Sequence, residues 1–579
     1  MKSKTLFALP APRTLIPFLL TIGLLASGSS YPISDTLAVP AQPGKEPKTE
    51  QPPAPRAEPQ TATQATDLTF EISYARSAAS GPVTGRVYVM LADTDRREPR
   101  FMVSTGGIPF YGADVEGLAP GETAVIDGDT FGYPVESLRD IPAGDYYVQA
   151  FVNIYTEFRR SDGHVLWMHK DQWEGQHWNR SPGNLYSEVQ RVHIDPARSG
   201  TVELVCDRVI PPVEIPEDTE HVRRIRFQSR ILTEFWGQPM YLGATILLPR
   251  GYAEETDRSY PVNYIQGHFS LRAPNGFRED GRGEFSSYWL SDDCPRMLAI
   301  TFQHPCPYYD DSYAVNSPNV GPYGDAIMQE LIPYLEEHFR IIREPYARVL
   351  SGGSTGGWIS LAMQIFYPDF FGGVFSLCPD PVDFHYFQCI DIYRDENAYY
   401  KQRGWIRVET ASDRRTDGIV TLTSRQRNYY ELALGSHGRS GDQIDIFEAA
   451  YGPIGADGYT RPLFDPVTGV IDREVAGYWR DNFDLNHILQ SRWSELGPKL
   501  RGKIHIYTGD MDTHYLNNAV VLMEEFLEST TDPYYDGVVE YGDGQPHCWG
   551  PRGADLLRLM ARHIEAMAGR GVAGRITSR

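Results

Sequence analysis

The pentapeptide Gly352-Gly353-Ser354-Thr355-Gly356 constrains this chain more than any other stretch. A short apolar run, Ala347-Arg348-Val349-Leu350, leads into it, and Trp358-Ile359-Ser360-Leu361-Ala362-Met363 leads out with the look of a helix. A serine pinched between small residues at a strand-to-helix turn is the setting of a nucleophile elbow. The glycines let strand and helix approach closely and tolerate dihedrals that other residues resist, so the hydroxyl projects from the end of a sheet. The plain alternative is a Gly/Ser loop that only turns the chain.

The surrounding pattern favours the elbow. Tyr241 to Leu248, Pro261 to Ile265, Met297 to Thr301, Gly373 to Leu377 and Lys503 to Tyr507 read as strands, several of them short and wholly apolar. Helices are expected over Ala326–Phe339, with Asp325 as N-cap, over Asn518–Leu527 and over Leu556–Met567. Strands alternating with helices beyond residue 260 predict an α/β architecture over 222–579, a mostly parallel sheet covered on both faces, with an insertion at about 390–490. Catalytic groups then belong at the carboxyl ends of the strands. Ahead of this region, 68–212 alternates at period two, as in Gly85 to Leu91 and Gly144 to Val152, with no helical stretch. An all-β, sandwich-like module is the expectation there, joined through Val209 to Glu217.

The first residues read as an export signal over 1–28, placing the protein outside the cell or in the periplasm. Lys2, Lys4 and Arg13 precede an apolar stretch from Leu15 to Ala26, followed by small residues. Pro17 and Gly23 interrupt that stretch, and it is short of the roughly 20 residues a span needs. No integral membrane segment is expected after its removal. Residues 29–67 are rich in Pro, Ala, Gln and Thr and read as an extended tether. Lys plus Arg number 54 against 76 Asp plus Glu, a formal net charge of -22, which argues against nucleic acid as a partner. Of the six cysteines, Cys294 with Cys306 or Cys378 with Cys389 are candidate disulfides, isolated thiols being the alternative. Nothing in the sequence specifies an oligomeric state.

An elbow serine needs a base and a group to orient that base, in the chain order Ser, acid, His. Asp512, in Gly509-Asp510-Met511-Asp512 after the Lys503–Tyr507 strand, is the expected acid; Asp510 is the alternative, its plain role being a turn carboxylate. His547, in the turn-rich loop Asp543 to Gly550, is the expected base. His514 is near enough in sequence to support the site, whereas His505 and His563 are expected to be structural. Thr355 and either His268 or Phe269 are expected to supply the two backbone amides of an oxyanion hole. The ring-rich segment 303–313, with His304, Tyr308 and Tyr309, and Tyr323 beyond it, is expected to form a substrate rim. His304 with Asp310 and Asp311 lacks metal-ligand spacing, and Asp457, Asp465 and Asp472 match no calcium loop, so no metal is expected.

With Tyr260 to His268, the elbow around Ser354, the Asp512 loop and His547-Cys548-Trp549, residues 222–570 resemble the putative esterase family, which includes esterase D-like and feruloyl esterase-like α/β-hydrolases. The family usually has His then Gly where this chain has Gly267 then His268. The resemblance implies a serine carboxylesterase that needs no cofactor and acts on a small-molecule or glycan-linked ester. Two rival readings differ in chemistry. A secreted serine peptidase would use the same triad and need a charged pocket residue for a peptide terminus. A non-catalytic carbohydrate- or surface-binding protein would need that triad broken.

Overall fold

The computed structural model describes residues 68–195 and 200–577, with side chains as far as 569, and all of them lie in one compact unit, 63–579. The expected signal and tether, 1–67, lie outside the described residues.

Eight strands form the sheet that carries the elbow: β1 Val222–Ser229, β2 Met240–Leu247, β3 Val262–Gln266, β4 Leu298–Gln303, β5 Arg348–Gly353, β6 Gly373–Leu377, β7 Ile504–Gly509 and β8 Val538–Gly542. Their order across the sheet is β1-β2-β4-β3-β5-β6-β7-β8. Only β2 runs against its neighbours; from β4 to β8 every pairing is parallel. The central strands are buried on both faces, so they read as continuous apolar runs: Leu350, Tyr264, Ile300 and Val374 pack on one side, Val349, Ala299 and Phe375 on the other. This mixed sheet with a parallel centre, and a helix following the elbow strand, is the α/β-hydrolase fold.

Helix α1, Thr355–Phe366, follows β5 directly and is almost wholly buried. The helix expected at 326 begins earlier, at Tyr323, and is interrupted by a π-turn over Ile327–Leu331, so Asp325 lies inside its first turn rather than capping it. The insertion contributes two hairpins, Tyr400–Arg403 with Ile406–Glu409 and Ala411–Arg414 with Val420–Thr423, and helices α2 Ser424–Leu434 and α3 Gln443–Tyr451.

Among the described residues between 69 and 209, ten strands join in one hydrogen-bonded sheet, with three short 3-10 turns among them. The long strand Gly144–Arg159 pairs with four others, so the hydrogen bonding runs through a single sheet rather than dividing into two stacked ones. Nor does this region stand apart from the hydrolase. Phe158, Leu166 and Met168 sit in the same core as Leu232 and Trp236, and Tyr88, Phe110 and Phe151 share another with Tyr430, Ala433 and Leu434 of α2.

Candidate active site

The elbow is strained as the sequence requires. Ser354 has φ 57° and ψ -123°, a conformation that costs about 1–3 kcal/mol and persists only where the surroundings impose it. Its N–H donates to the Leu377 carbonyl of β6 at 3.0 Å. A Cβ on Gly356 would lie 2.1 Å from the Gln266 carbonyl oxygen, and one on Gly352 2.3 Å from the Gly356 carbonyl oxygen. The two glycines are therefore there for clearance: α1 starts hard against the end of β3.

Three distant segments converge on the serine. His547 Nε2 is 3.0 Å from Ser354 Oγ, and His547 Nδ1 is 2.7 Å from Asp512 Oδ2. Asp512 is fully buried, and its other oxygen accepts the N–H of His514 at 2.8 Å and of Leu516 at 3.3 Å. A carboxylate so placed requires the proton on Nδ1, which leaves Nε2 free to accept from the serine. Burial alone would push the His547 pKa down, but the hydrogen bonds to Asp512 and Cys548 and their charges outweigh it and raise it to about 10. Asp510 takes the other role weighed for it, accepting the Gly544 N–H at 2.8 Å to fix the histidine loop. His514 packs edge-on against His547 at 4.8 Å, with Nδ1 3.0 Å from Asp413 Oδ1. Arg414, from the insertion, donates to the backbone carbonyls of Asp512 at 3.0 Å and Asp510 at 3.1 Å.

Thr355 opens α1 immediately after the serine. On the opposite side Gly267, at φ 157°, places its nitrogen 2.9 Å from where a Gly356 Cβ would be. The Ser270 N–H is already taken by Gln303 Oε1 at 2.9 Å and is not a donor to the site; His268 and Phe269, the expected donors, precede it in the same loop. The His268 ring, about half exposed, meets Asp310 at 3.1 Å and Asp311 at 3.6 Å. Burial opposes its charge, but the Asp310 hydrogen bond and the charges of Asp310, Asp311 and Asp380 raise its pKa to about 10. The Phe269 ring turns the other way, edge-on to Trp173 at 5.1 Å.

Asp380 is the residue the sequence reading missed. Its Oδ1 lies 3.4 Å from Ser354 Oγ, while Oδ2 accepts the Tyr313 hydroxyl at 2.6 Å and the Thr355 hydroxyl at 3.1 Å. Gln443 of α3 donates in turn to the Tyr313 hydroxyl. Burial raises the Asp380 pKa, partly offset by the Tyr313 hydrogen bond and the nearby His547. The available signal was its position just beyond the carboxyl end of β6, beside the elbow strand.

The expected rim is a correction. His304, Tyr308, Tyr309 and Tyr323 are all buried. Tyr323 donates to the Pro305 carbonyl at 2.7 Å, His304 Nδ1 accepts the Ser312 N–H at 3.1 Å, and Tyr308 lies in the main core. Only Tyr309 borders the site, with its ring 5.7 Å from that of His268 and its hydroxyl donating to Gln443 at 2.9 Å. Neither candidate disulfide forms, and the six cysteines are free thiols, the alternative weighed for them. Cys294 and Cys306 belong to different cores, and Cys378 meets Cys548 instead of Cys389, with the sulfurs 2.6 Å apart directly after His547. Among the described residues, His268, Asp310 and Asp311 have ligand atoms close enough to share a metal ion, as do Asp383, His385 and Asp484, and Cys378, His547 and Cys548; His304 is in none of these groups. Asp457, Asp465 and Asp472 serve as turn and helix-cap acceptors.

A family model described as putative esterase matches residues 240–428, which span β2 through the elbow into the insertion. No curated protein matches the chain. Among solved structures, a ferulic acid esterase aligns at 13% identity over 60% of this chain and 98% of its own, with a TM-score of 0.34. An S-formylglutathione hydrolase from Agrobacterium tumefaciens aligns at 14% over 60% and 95%, with a TM-score of 0.33. A fluorophosphonate-binding serine hydrolase of Staphylococcus aureus aligns at 13% over 60% and 97%, also with a TM-score of 0.33. The similarity to the putative esterase family therefore lies in residues 240–428, the part of the chain that holds β2, β3, β4, the elbow and the start of the insertion.

Proposed function

We propose that the protein is a serine carboxylesterase working through an acyl-enzyme. The observation that carries this reading is the hydrogen-bonded run from Asp512 through His547 to Ser354, set on the ends of β7, β8 and β5. Ser354 Oγ attacks the ester carbonyl as His547 Nε2 takes its proton, and Asp512 holds the imidazolium that results. The amides of Thr355 and of His268 or Phe269 receive the oxyanion. His547 then protonates the departing alcohol, and water repeats the sequence on the acyl-serine. The acyl or alcohol part would be aromatic or linked to carbohydrate, and the signal over 1–28 would carry the enzyme out of the cytoplasm. Labelling with a fluorophosphonate ester tests the assignment: wild type is modified at Ser354, and equal modification of Ser354→Ala sinks it.

One observation favours the peptidase reading as a second. Asp380 places a carboxylate 3.4 Å from the Ser354 hydroxyl, where a protonated amino terminus would be held. Turnover of aminoacyl amides at rates comparable with the matching esters, lost in Asp380→Asn, would select it.

A further inference from the structure

A cavity of about 680 Å³ lies on the far side of the oxyanion loop, where the loop meets the N-terminal sheet region. Phe269 to Arg272, the residues that follow His268, form one wall; Trp173, His177 and Arg180 form another. Its volume is that of a site for a small molecule or a few linked rings.

Its charge is the informative part. Arg100, Arg180, Arg224 and Arg272 all line it in a chain of net charge -22. Arg100 is offset by Glu98 at 2.8 Å. Arg224 donates only to backbone carbonyls, of Leu271 at 3.1 Å and Glu217 at 2.9 Å, so no carboxylate neutralises it. Arg180 and Arg272 are exposed and have neither an ion pair nor a side-chain hydrogen bond among the described residues. The acidic group in the lining, Glu174, is already engaged by His169 at 2.8 Å and by the Gln172 N–H at 2.7 Å. Burial and then the neighbouring Arg180 push the His177 pKa down. Three guanidinium groups without acidic partners therefore face one concavity.

Unpaired guanidinium groups present planar forks that match a carboxylate, and the rings of Trp173, Phe101 and Phe269 beside them suit a flat or ring-shaped body. We propose that this cavity binds a carboxylate carried on a ring, either an acidic sugar unit or an aromatic acid, behind the loop that follows β3. The N-terminal sheet region would then supply half of the binding surface. The inference goes beyond the esterase reading, because it concerns binding and can be read without turnover.

The test is titration calorimetry on Ser354→Ala with digalacturonate and 4-hydroxybenzoate, each beside its neutral counterpart, galactobiose and 4-hydroxybenzamide. At least one acid is expected to bind about tenfold or more tightly than its neutral partner, and to weaken by about tenfold in Arg180→Gln or Arg272→Gln. Binding should also fall as NaCl rises from about 50 mM to about 500 mM. Which acid binds distinguishes the sugar from the aromatic source. Acids that bind no better than their neutral partners, or binding that neither variant weakens, overturn the proposal. Both arginines are exposed, and thermal melts of the variants check that they fold. Arg272→Lys, which keeps the charge, should retain part of the affinity. Because Ser354 is absent from the titrated protein, a negative result here leaves the fluorophosphonate result untouched, and the reverse holds too.

Discussion

Ser354 faces two acceptors, His547 Nε2 at 3.0 Å and Asp380 Oδ1 at 3.4 Å, but only the imidazole can carry its proton on to a leaving group. Replacing Ser354 or His547 by Ala should lower kcat by at least about 10⁴-fold, and Asp512→Asn by about the same, because it reverses the tautomer. A general base must be neutral. With the His547 pKa raised to about 10, kcat/KM should climb with pH well past the ordinary histidine value near 6.5. Asp512→Asn removes the first of the interactions that raise it, so the limb should move to lower pH; pH profiles of kcat/KM for the two proteins check this. These three residues were legible in the sequence because each sits beside a strand end in the order the fold dictates. Asp380 was not, because its role depends on Tyr313 and Thr355, hydroxyl donors from two other segments. The ring-rich stretch at 303–313 misled for a related reason. Tyrosines look amphipathic in sequence, but those at 313 and 323 find acceptors inside the protein.

At the scale of elements, the meeting of β3, β5 and α1 is set by glycine. Gly356→Ala would drive a methyl group to 2.1 Å from a backbone oxygen that has nowhere to retreat, since it ends a central strand. The expected cost is about 1–3 kcal/mol of stability, seen as a lower urea midpoint, together with slower fluorophosphonate labelling as the elbow shifts. Gly477, where a Cβ meets nothing within 4 Å, is the control: Gly477→Ala should hold or gain stability. Strands and their order were readable from short apolar runs, whereas the start of the helix at Tyr323 was not. A π-turn displaces the register there, so the apolar spacing no longer locates the first turn. The sequence located the insertion at about 390–490. Its contribution is specific: Arg414 ties the acid loop down through two carbonyls. Arg414→Ala should therefore lower kcat about tenfold by loosening Asp512, with a much smaller change in thermal midpoint.

Over the whole molecule, a boundary near 212–222 was expected from a proline-rich link, and a proline-rich link is what such a boundary normally looks like. The structure couples the two sides through packing that no local pattern reveals. The hairpin of Gly144–Arg159 and Val165–His169 places Phe158, Leu166 and Met168 in the main hydrolase core. Arg86, buried in the N-terminal sheet, holds Asp114 at 2.7 Å and donates to the Ala433 carbonyl of α2 at 3.0 Å. Asp114 in turn meets Arg439 at 2.8 Å. A chain cut to 222–579 would expose Trp236 and the Tyr430–Leu434 face to water and leave the Ala433 carbonyl without its arginine donor. It should therefore fail to accumulate as a soluble folded protein, while the whole chain melts in one cooperative transition. Arg86→Ala probes the same joint more gently, because burying an unsatisfied polar group costs about 1–3 kcal/mol. Its melt should shift down without splitting in two. A split into two transitions, or a stable and active 222–579 fragment, would show that the N-terminal region is an appendage and not part of the fold that positions Ser354.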